Sequence, residues 1–200
     1  MNKLSLDATI KLAERTPTDF KFIHSVASPV CKNLGVVIHE DLPDKPELKD
    51  ILKGRDAVCI LFTVLHGDVR TSIAHWCALF RGKKNKVTFF DSLAIGLKAI
   101  YGRTTEKPKV LWALRNTNYE RSHRPVQRLI RQQKYCGCAC AVRLRFYKTK
   151  TNHEFENYIL NYAPRNPGVA LATLCLFHYT DQNEYKVSDV GKKANDTNSK

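Results

Sequence analysis

Three consecutive strand signals in the middle of the chain constrain its fold more than any other feature. A continuous apolar run covers Ala57–Leu65, a second covers Ser72–Phe80, and Val87–Phe90 forms a short third run. Turn-forming residues separate the runs, at positions 66–68 and 81–85. Because short connections join neighbouring strands that run in opposite directions, the pattern predicts three antiparallel strands, buried on both faces, at the centre of a sheet.

Helix signals lie before and after these strands. They cover Leu4–Arg15, Pro46–Leu52, Leu93–Ile100, Cys136–Phe146 and His153–Leu160, while Gly35–Pro43 and Val110–Leu114 predict further extended segments. The order predicts an α+β fold with a central, mainly antiparallel sheet flanked by helices. The length of 200 residues suits one domain, which we expect over 1–185, followed by a polar, disordered tail over 186–200.

The cysteines and the apolar stretches restrict the class of protein. Seven cysteines are an odd number, unevenly spaced, so we expect reduced thiols rather than a disulfide framework. The longest apolar stretches, at 57–65 and 169–177, are too short to span a bilayer, so no membrane partner is expected. No apolar signal core follows Met1, and we therefore expect the chain to stay inside the cell that makes it, or to be packaged from there.

The positive charge is concentrated in one segment. Between Tyr101 and Lys150 there are thirteen Lys or Arg and two Glu, which accounts for +11 of the net +14. This density fits a solvated face that keeps the chain soluble, and equally a binding surface for nucleic acid or another polyanion. The candidate nucleic-acid contacts are Arg121, Arg124, Arg128, Arg131 and Lys134.

Three residues within or at the ends of predicted elements supply the groups that a thiol protease needs: a thiolate, an imidazole and an acid that orients the imidazole. His75 lies within the second strand, Asp91 ends the third, and Cys136 begins a helix. Each also has a structural interpretation. His75 fits a buried histidine bonded to the sheet, and Asp91 fits a turn or helix cap, a role that Ser92 could equally take.

Cys136 carries the strongest local signal. A cysteine at a helix N-terminus beside Lys134 and Arg131 should have a lowered thiol pKa, and Gly137 allows another chain to approach the backbone. The structural alternative is a small apolar helix face made of Cys and Ala. A zinc site built from Cys136, Cys138 and Cys140 with His123 or His153 is disfavoured, because cysteines at i, i+2 and i+4 of a helix do not converge. We therefore expect no metal.

The combination of motifs resembles a known clan of cysteine proteases. His75-Trp76 in a strand, Asp91 sixteen residues later in Phe-Phe-Asp-Ser, and Cys136-Gly137 at a helix start are similar to the adenain and ubiquitin-like-protein proteases. Leu42-Pro43 ahead of the His-Trp strand is similar in particular to the maturation proteases of adenoviruses, virophages and Maverick/Polinton elements. The resemblance covers roughly Val36 to Phe146 and implies an adenain-like fold with the nucleophile at a helix N-terminus.

The resemblance also implies roles for individual residues. Cys136 would be the nucleophile, His75 the general base and acid, Asp91 the group that orients the imidazole, and Trp76 a wall of a narrow substrate channel. The clan uses a glutamine in the oxyanion hole, and Gln127, nine residues before Cys136, is the expected counterpart.

The assignment of the oxyanion glutamine has one alternative. Gln132 stands only four residues before Cys136, and it would fit better if Cys138 were the nucleophile. Cys138 lacks the following glycine, however, so Gln127 with Cys136 is the preferred pair.

The implied function is a cysteine endopeptidase that processes viral capsid and core precursors after small residues such as Gly. It would require no cofactor, with DNA as a candidate activator, and it would act as a monomer on viral structural proteins. Its location would be the host cytoplasm or nucleus at the site of virus assembly, and the virion. The alternatives are removal of ubiquitin-like modifiers, acyl transfer with the same three residues, and a basic nucleic-acid-binding protein with a structural cysteine cluster.

Overall fold

The computed structural model describes residues 19–65, 72–127 and 135–179. The helix predicted over 4–15, the turn at 66–68 and the tail over 186–200 lie outside these ranges. Within them the chain has an α+β fold, as the sequence predicts, with one five-stranded sheet flanked by helices.

The sheet has the strand order β1-β2-β3-β4-β5. Its strands are β1 (Leu34–Ile38), β2 (Ala57–Leu65), β3 (Ser72–Arg81), β4 (Val87–Phe90) and β5 (Glu120–Arg121). The three central strands pair antiparallel, but β1 runs parallel to β2, and β5 runs parallel to β4. The sheet is therefore mixed rather than mainly antiparallel. The edge strands are joined to their neighbours through helical segments, and a connection of that length can return the chain in the same direction.

Helices cover both faces of the sheet. They are α1 (Phe20–Ala27), α2 (Leu48–Leu52), α3 (Gly96–Tyr101), α4 (Lys109–Leu114), α5 (Cys136–Arg145), α6 (Asn152–Tyr162) and α7 (residues 167–179), with short 3₁₀ turns at His39–Asp41 and Lys83–Asn85. The helix signals that fall on described residues are confirmed, with ends that shift by at most three residues. Among the helices that the structure describes, none combines the length and apolar character needed to cross a membrane.

The strand predicted over Val110–Leu114 is wrong, because this segment is helix α4. The amide of Trp112 donates to the carbonyl of Pro108 at 2.9 Å, a helical i to i−4 bond. Val110 and Leu114, four residues apart, are buried on one helix face, while Leu111 between them is only partly buried. A short apolar run has no period that distinguishes strand from helix, and the proline at its start favours a helix.

Apolar side chains pack against both faces of the central strands. On β3, Trp76 and Phe80 belong to the cluster packed with α1, α5 and α6, while Cys77 and Leu79 belong to the cluster packed with α2, α3 and α4. This double burial explains the continuous apolar runs of β2 and β3. A buried polar side chain on β3, such as His75, therefore needs a hydrogen-bonding partner nearby. Asp91, the residue after the end of β4, provides it.

Candidate active site

The candidate site forms where β4 ends beside β3. Phe90, the last residue of β4, lies opposite Ala78, so Asp91 leaves the sheet next to Cys77. His75 is two residues from Cys77 and shares its face of the strand. His75 Nε2 and Asp91 Oδ1 are 3.0 Å apart, and the two side chains are buried. The register of the β3–β4 hairpin thus brings His75 and Asp91, sixteen positions apart in sequence, into contact.

Backbone amides hold the carboxylate of Asp91 in place. Oδ1 accepts from the amide of Leu93 at 3.0 Å, and Oδ2 accepts from the amides of Ile95 at 3.0 Å and Gly96 at 3.2 Å. Burial would raise the pKa of Asp91, but the hydrogen bond and charge of His75, together with these amides, hold the pKa below 3.8. Asp91 therefore organises the turn before α3, as its structural interpretation expects, and contacts the imidazole as well.

Cys136 begins α5, and this helix packs against β3. The backbone N–H of Trp76 donates to the Cys136 sulfur, and the Cys140 thiol donates to the Trp76 carbonyl at 3.4 Å. Cys136 and Cys140, four residues apart on one helix face, therefore bind main-chain groups of Trp76, which lies beyond the last residue of β3 that pairs with β4. This docking brings Cys136 against the imidazole of His75.

The environment of Cys136 favours its thiolate. Burial would raise the thiol pKa, but the hydrogen bond with His75, the charge of His75, and the amides of Trp76 and Gly137 lower it below 9.0. The positive end of the α5 dipole acts in the same direction. Cys138 faces elsewhere, within hydrogen-bonding reach of Cys175 on α7. Of the three helix cysteines, Cys136 is the one that the structure brings into hydrogen-bonding contact with His75.

The pKa of His75 is raised well above 6.5. Burial acts against this shift, and contacts with Cys77, Asp91 and Cys136 outweigh it. Burial also raises the pKa of Cys77 to about 11, so Cys77 is a neutral thiol at neutral pH. The groups that stabilise the imidazolium under those conditions are therefore the carboxylate of Asp91 and the thiolate of Cys136. Since Asp91 occupies Nε2, Nδ1 is the ring nitrogen left for Cys136.

Gln127 is buried and attached to the residue that follows Asp91. Ser92 Oγ donates to Gln127 Oε1 at 2.9 Å, and the amide of Gln127 donates to the Ser92 carbonyl at 3.1 Å. Ser92 therefore anchors Gln127 instead of capping a helix. The same loop is attached by the amide of Asp91, which donates to Ser122 Oγ at 3.0 Å. Gln132, the alternative oxyanion residue, lies outside the described residues.

The remaining predicted residues are dispersed. Trp76 is buried in the apolar cluster that also contains Cys136. Arg121, on β5, and Arg124 are exposed, and Arg124 Nη1 donates to Asn157 Oδ1 at 2.8 Å. The other three basic candidates, Arg128, Arg131 and Lys134, lie outside the described residues.

Sequence reasoning missed Cys77. The donor atoms of His75, Cys77 and Asp91 all lie within 4.8 Å of one another, and all three residues are buried. The zinc site considered from sequence used different cysteines, those of α5. The spacing of His75 and Cys77, two residues apart in a strand, was the available signal, because such residues share a face.

Comparison with protein-family models and with curated proteins identifies no relative of this chain. No protein-family model matches the chain, and the search of curated proteins found no significant match.

Proposed function

We propose that this chain is a cysteine endopeptidase in which Cys136 is the nucleophile. The observation that carries the proposal is a single chain of contacts. Asp91 binds Nε2 of His75 at 3.0 Å, and the same imidazole hydrogen-bonds to the thiol at the first residue of α5. A nucleophile, a base and an orienting group in contact in this order are the arrangement required for covalent catalysis by a thiol.

The reaction follows from the position of each group. The Cys136 thiolate attacks the carbonyl carbon of the scissile peptide, and the imidazolium of His75 gives its proton to the leaving amine. The acyl-enzyme is then hydrolysed by a water molecule whose proton passes to His75. Asp91 keeps the ring oriented and balances its positive charge throughout the cycle.

The developing oxyanion needs hydrogen-bond donors near Cys136. The first amides of α5 have no carbonyl partner within the helix, and that of Gly137 donates to the Cys136 sulfur, so the backbone N–H of Cys136 is suited to this role. Gln127 is the proposed side-chain donor. Its Oε1 accepts from Ser92, which turns Nε2 to the opposite side of the amide.

The substrate class and biological setting extend the proposal through the resemblance to adenain-like proteases. The substrates would be viral capsid and core precursors, cut after small residues such as Gly during virion maturation, with Trp76 narrowing the channel. The protein would act as a monomer at the site of virus assembly and inside the virion. The segment with net charge +11 supports DNA as an activator, whose binding should weaken steeply as the salt concentration rises.

Covalent labelling tests the catalytic assignment. A peptide vinyl sulfone ending in Gly should label wild type at one site, and Cys136→Ala and His75→Ala should abolish this labelling. Cys138→Ala is the matched control, because Cys138 lies two residues away on the same helix and is equally buried. It should label like wild type. Comparable labelling of wild type, Cys136→Ala and His75→Ala would reject the proposal.

A further inference from the structure

A soft metal-binding cluster lies within the candidate active site. His75, Cys77 and Asp91 offer an imidazole nitrogen, a sulfur and a carboxylate oxygen, all within 4.8 Å of one another. These are the three donor types that zinc takes in proteins. We propose that this chain binds one zinc ion at His75, Cys77 and Asp91, and that bound zinc reversibly inhibits the protease. The inhibition rests on the proposed function, whereas zinc binding itself does not.

The spacing of the donors is close to that of a tetrahedral site. Zinc bonds of about 2.0 to 2.2 Å to nitrogen and oxygen place two such ligands about 3.3 Å apart, and a bond of about 2.3 Å to sulfur places it about 3.5 Å from them. His75 Nε2 and Asp91 Oδ1 are already 3.0 Å apart. Each pair of donors would therefore move by roughly 1.3 Å or less to accept the ion.

The scaffold around the cluster is rigid, which favours a site with defined geometry. His75 and Cys77 are fixed on one face of β3, and Asp91 follows the last paired residue of β4. Three backbone amides, those of Leu93, Ile95 and Gly96, orient the carboxylate. Such outer contacts fix the direction of a ligand and strengthen metal binding.

Cys77 has no part in the proposed peptide hydrolysis. The reaction uses the thiol of Cys136, whereas the Cys77 thiol hydrogen-bonds to the imidazole from within the core. Placing a second thiol within reach of the base nevertheless completes a mixed nitrogen, sulfur and oxygen ligand set. This unused thiol is the feature that distinguishes the site from an ordinary catalytic triad.

The fourth zinc position and the route of entry lie on the side of Cys136. Cys136 contacts the other ring nitrogen of His75 and is not among the donors that lie within 4.8 Å of one another, so a water molecule supplies the fourth ligand. His75 and Cys136 each keep 6% of their surface exposed, whereas Cys77 and Asp91 have 0% and 1%. An ion would therefore approach from the side on which His75 and Cys136 keep some exposed surface.

Zinc binding would stop catalysis without any redox step. The ion displaces the proton of the Cys77 thiol and the Nε2 proton of His75, and both protons pass to solvent. The pair of electrons on Nε2 and one oxygen of Asp91 then bind zinc, so Asp91 no longer orients a free imidazole. A chelator removes the ion and restores the starting state.

The test measures zinc binding and labelling separately on the full chain. Zinc affinity is measured by competition with a colorimetric chelator in wild type, Cys77→Ala, Cys77→Ser and Cys59→Ala. Cys59 is the matched control, because it is a fully buried cysteine on β2 that packs on the opposite face of the sheet. Cobalt(II) replaces zinc as a spectroscopic probe, since a thiolate ligand gives it an intense charge-transfer band.

We expect one zinc per chain in wild type and in Cys59→Ala. Loss of an outer contact typically lowers metal affinity by 10- to 100-fold, so loss of the Cys77 ligand should lower it by more than about 100-fold. The ratio of labelling rates without and with zinc should be large in wild type and at least tenfold smaller in Cys77→Ala.

Two results would overturn the inference. One is equal zinc affinity in Cys77→Ala and wild type. The other is a cobalt spectrum of the wild-type protein without a thiolate band, a measurement that does not depend on the folding of any variant. The two proposals also fail separately. Cys77-dependent zinc binding without labelling of Cys136 would reject only the protease, whereas Cys136-dependent labelling that zinc leaves unchanged would reject only the zinc inhibition.

Discussion

Replacing Asp91 with asparagine exchanges one of two carboxylate oxygens for an amide nitrogen and removes the charge. In the structure Oδ1 accepts from His75 Nε2 and from the Leu93 amide, while Oδ2 accepts from the amides of Ile95 and Gly96. Asparagine has only one acceptor oxygen. In either orientation, its NH₂ group therefore faces two donors.

The two orientations have different consequences. If the amide oxygen remains near His75, the amides of Ile95 and Gly96 lose their acceptor. At about 1 kcal/mol for each partly buried donor, the free energy of unfolding falls by about 2 kcal/mol. For a chain of this size, that lowers Tm by roughly 4 to 8 °C. If the NH₂ faces Nε2 instead, the imidazole proton moves to Nδ1, and the reaction rate falls by about 10⁴-fold.

Thermal unfolding and the rate of vinyl sulfone labelling, measured on the same preparations, test this reasoning. Asp41→Asn is the control, because Asp41 is exposed and the same chemical change there should alter neither quantity. Relative to wild type, Asp91→Asn should show a Tm that is lower by several degrees, a labelling rate that is mostly lost, or both. A variant with the Tm and labelling rate of wild type would refute the role assigned to Asp91.

Two further predictions concern the surroundings of Cys136. Gln127→Ala should lower kcat by about 10²- to 10³-fold with little change in KM, whereas Gln132→Ala should not, and the reverse pattern would transfer the oxyanion role to Gln132. Gly168→Ala would place a Cβ 2.9 Å from the ring of Tyr135, the residue before Cys136, and should cost about 1 to 3 kcal/mol of stability in thermal unfolding. Gly102→Ala, whose Cβ has 3.5 Å of clearance, should unfold like wild type, and equal Tm values for the two glycine variants would contradict the packing argument.

The central strands could be predicted from local pattern because their apolar runs are bounded by turn residues. β2 and β4 have the predicted ends, and β3 extends one residue further, to Arg81. The direction of β1 and β5 could not be predicted in this way. Parallel pairing depends on where a crossover returns the chain, which no local periodicity encodes.

The segment at Val110–Leu114 marks the limit of local pattern. Five apolar residues in succession are compatible with a buried strand and with a short buried helix, and packing against the sheet decides between them. Val110 and Leu114 lie on one helix face and fill the cluster beneath α3 and α4.

The sequence alone determined the residue types of the candidate site and their order along the chain, because His75 lies within a recognisable strand and Asp91 and Cys136 stand at the ends of recognisable elements. Only the tertiary structure decided which groups are in contact. The hairpin register brings Asp91 to His75, and α5 packs against β3, so that Cys136, rather than Cys138, reaches the imidazole. The same register adds Cys77 to the cluster. These contacts depend on strand register and helix docking, which are properties of the packed sheet and not of any single segment.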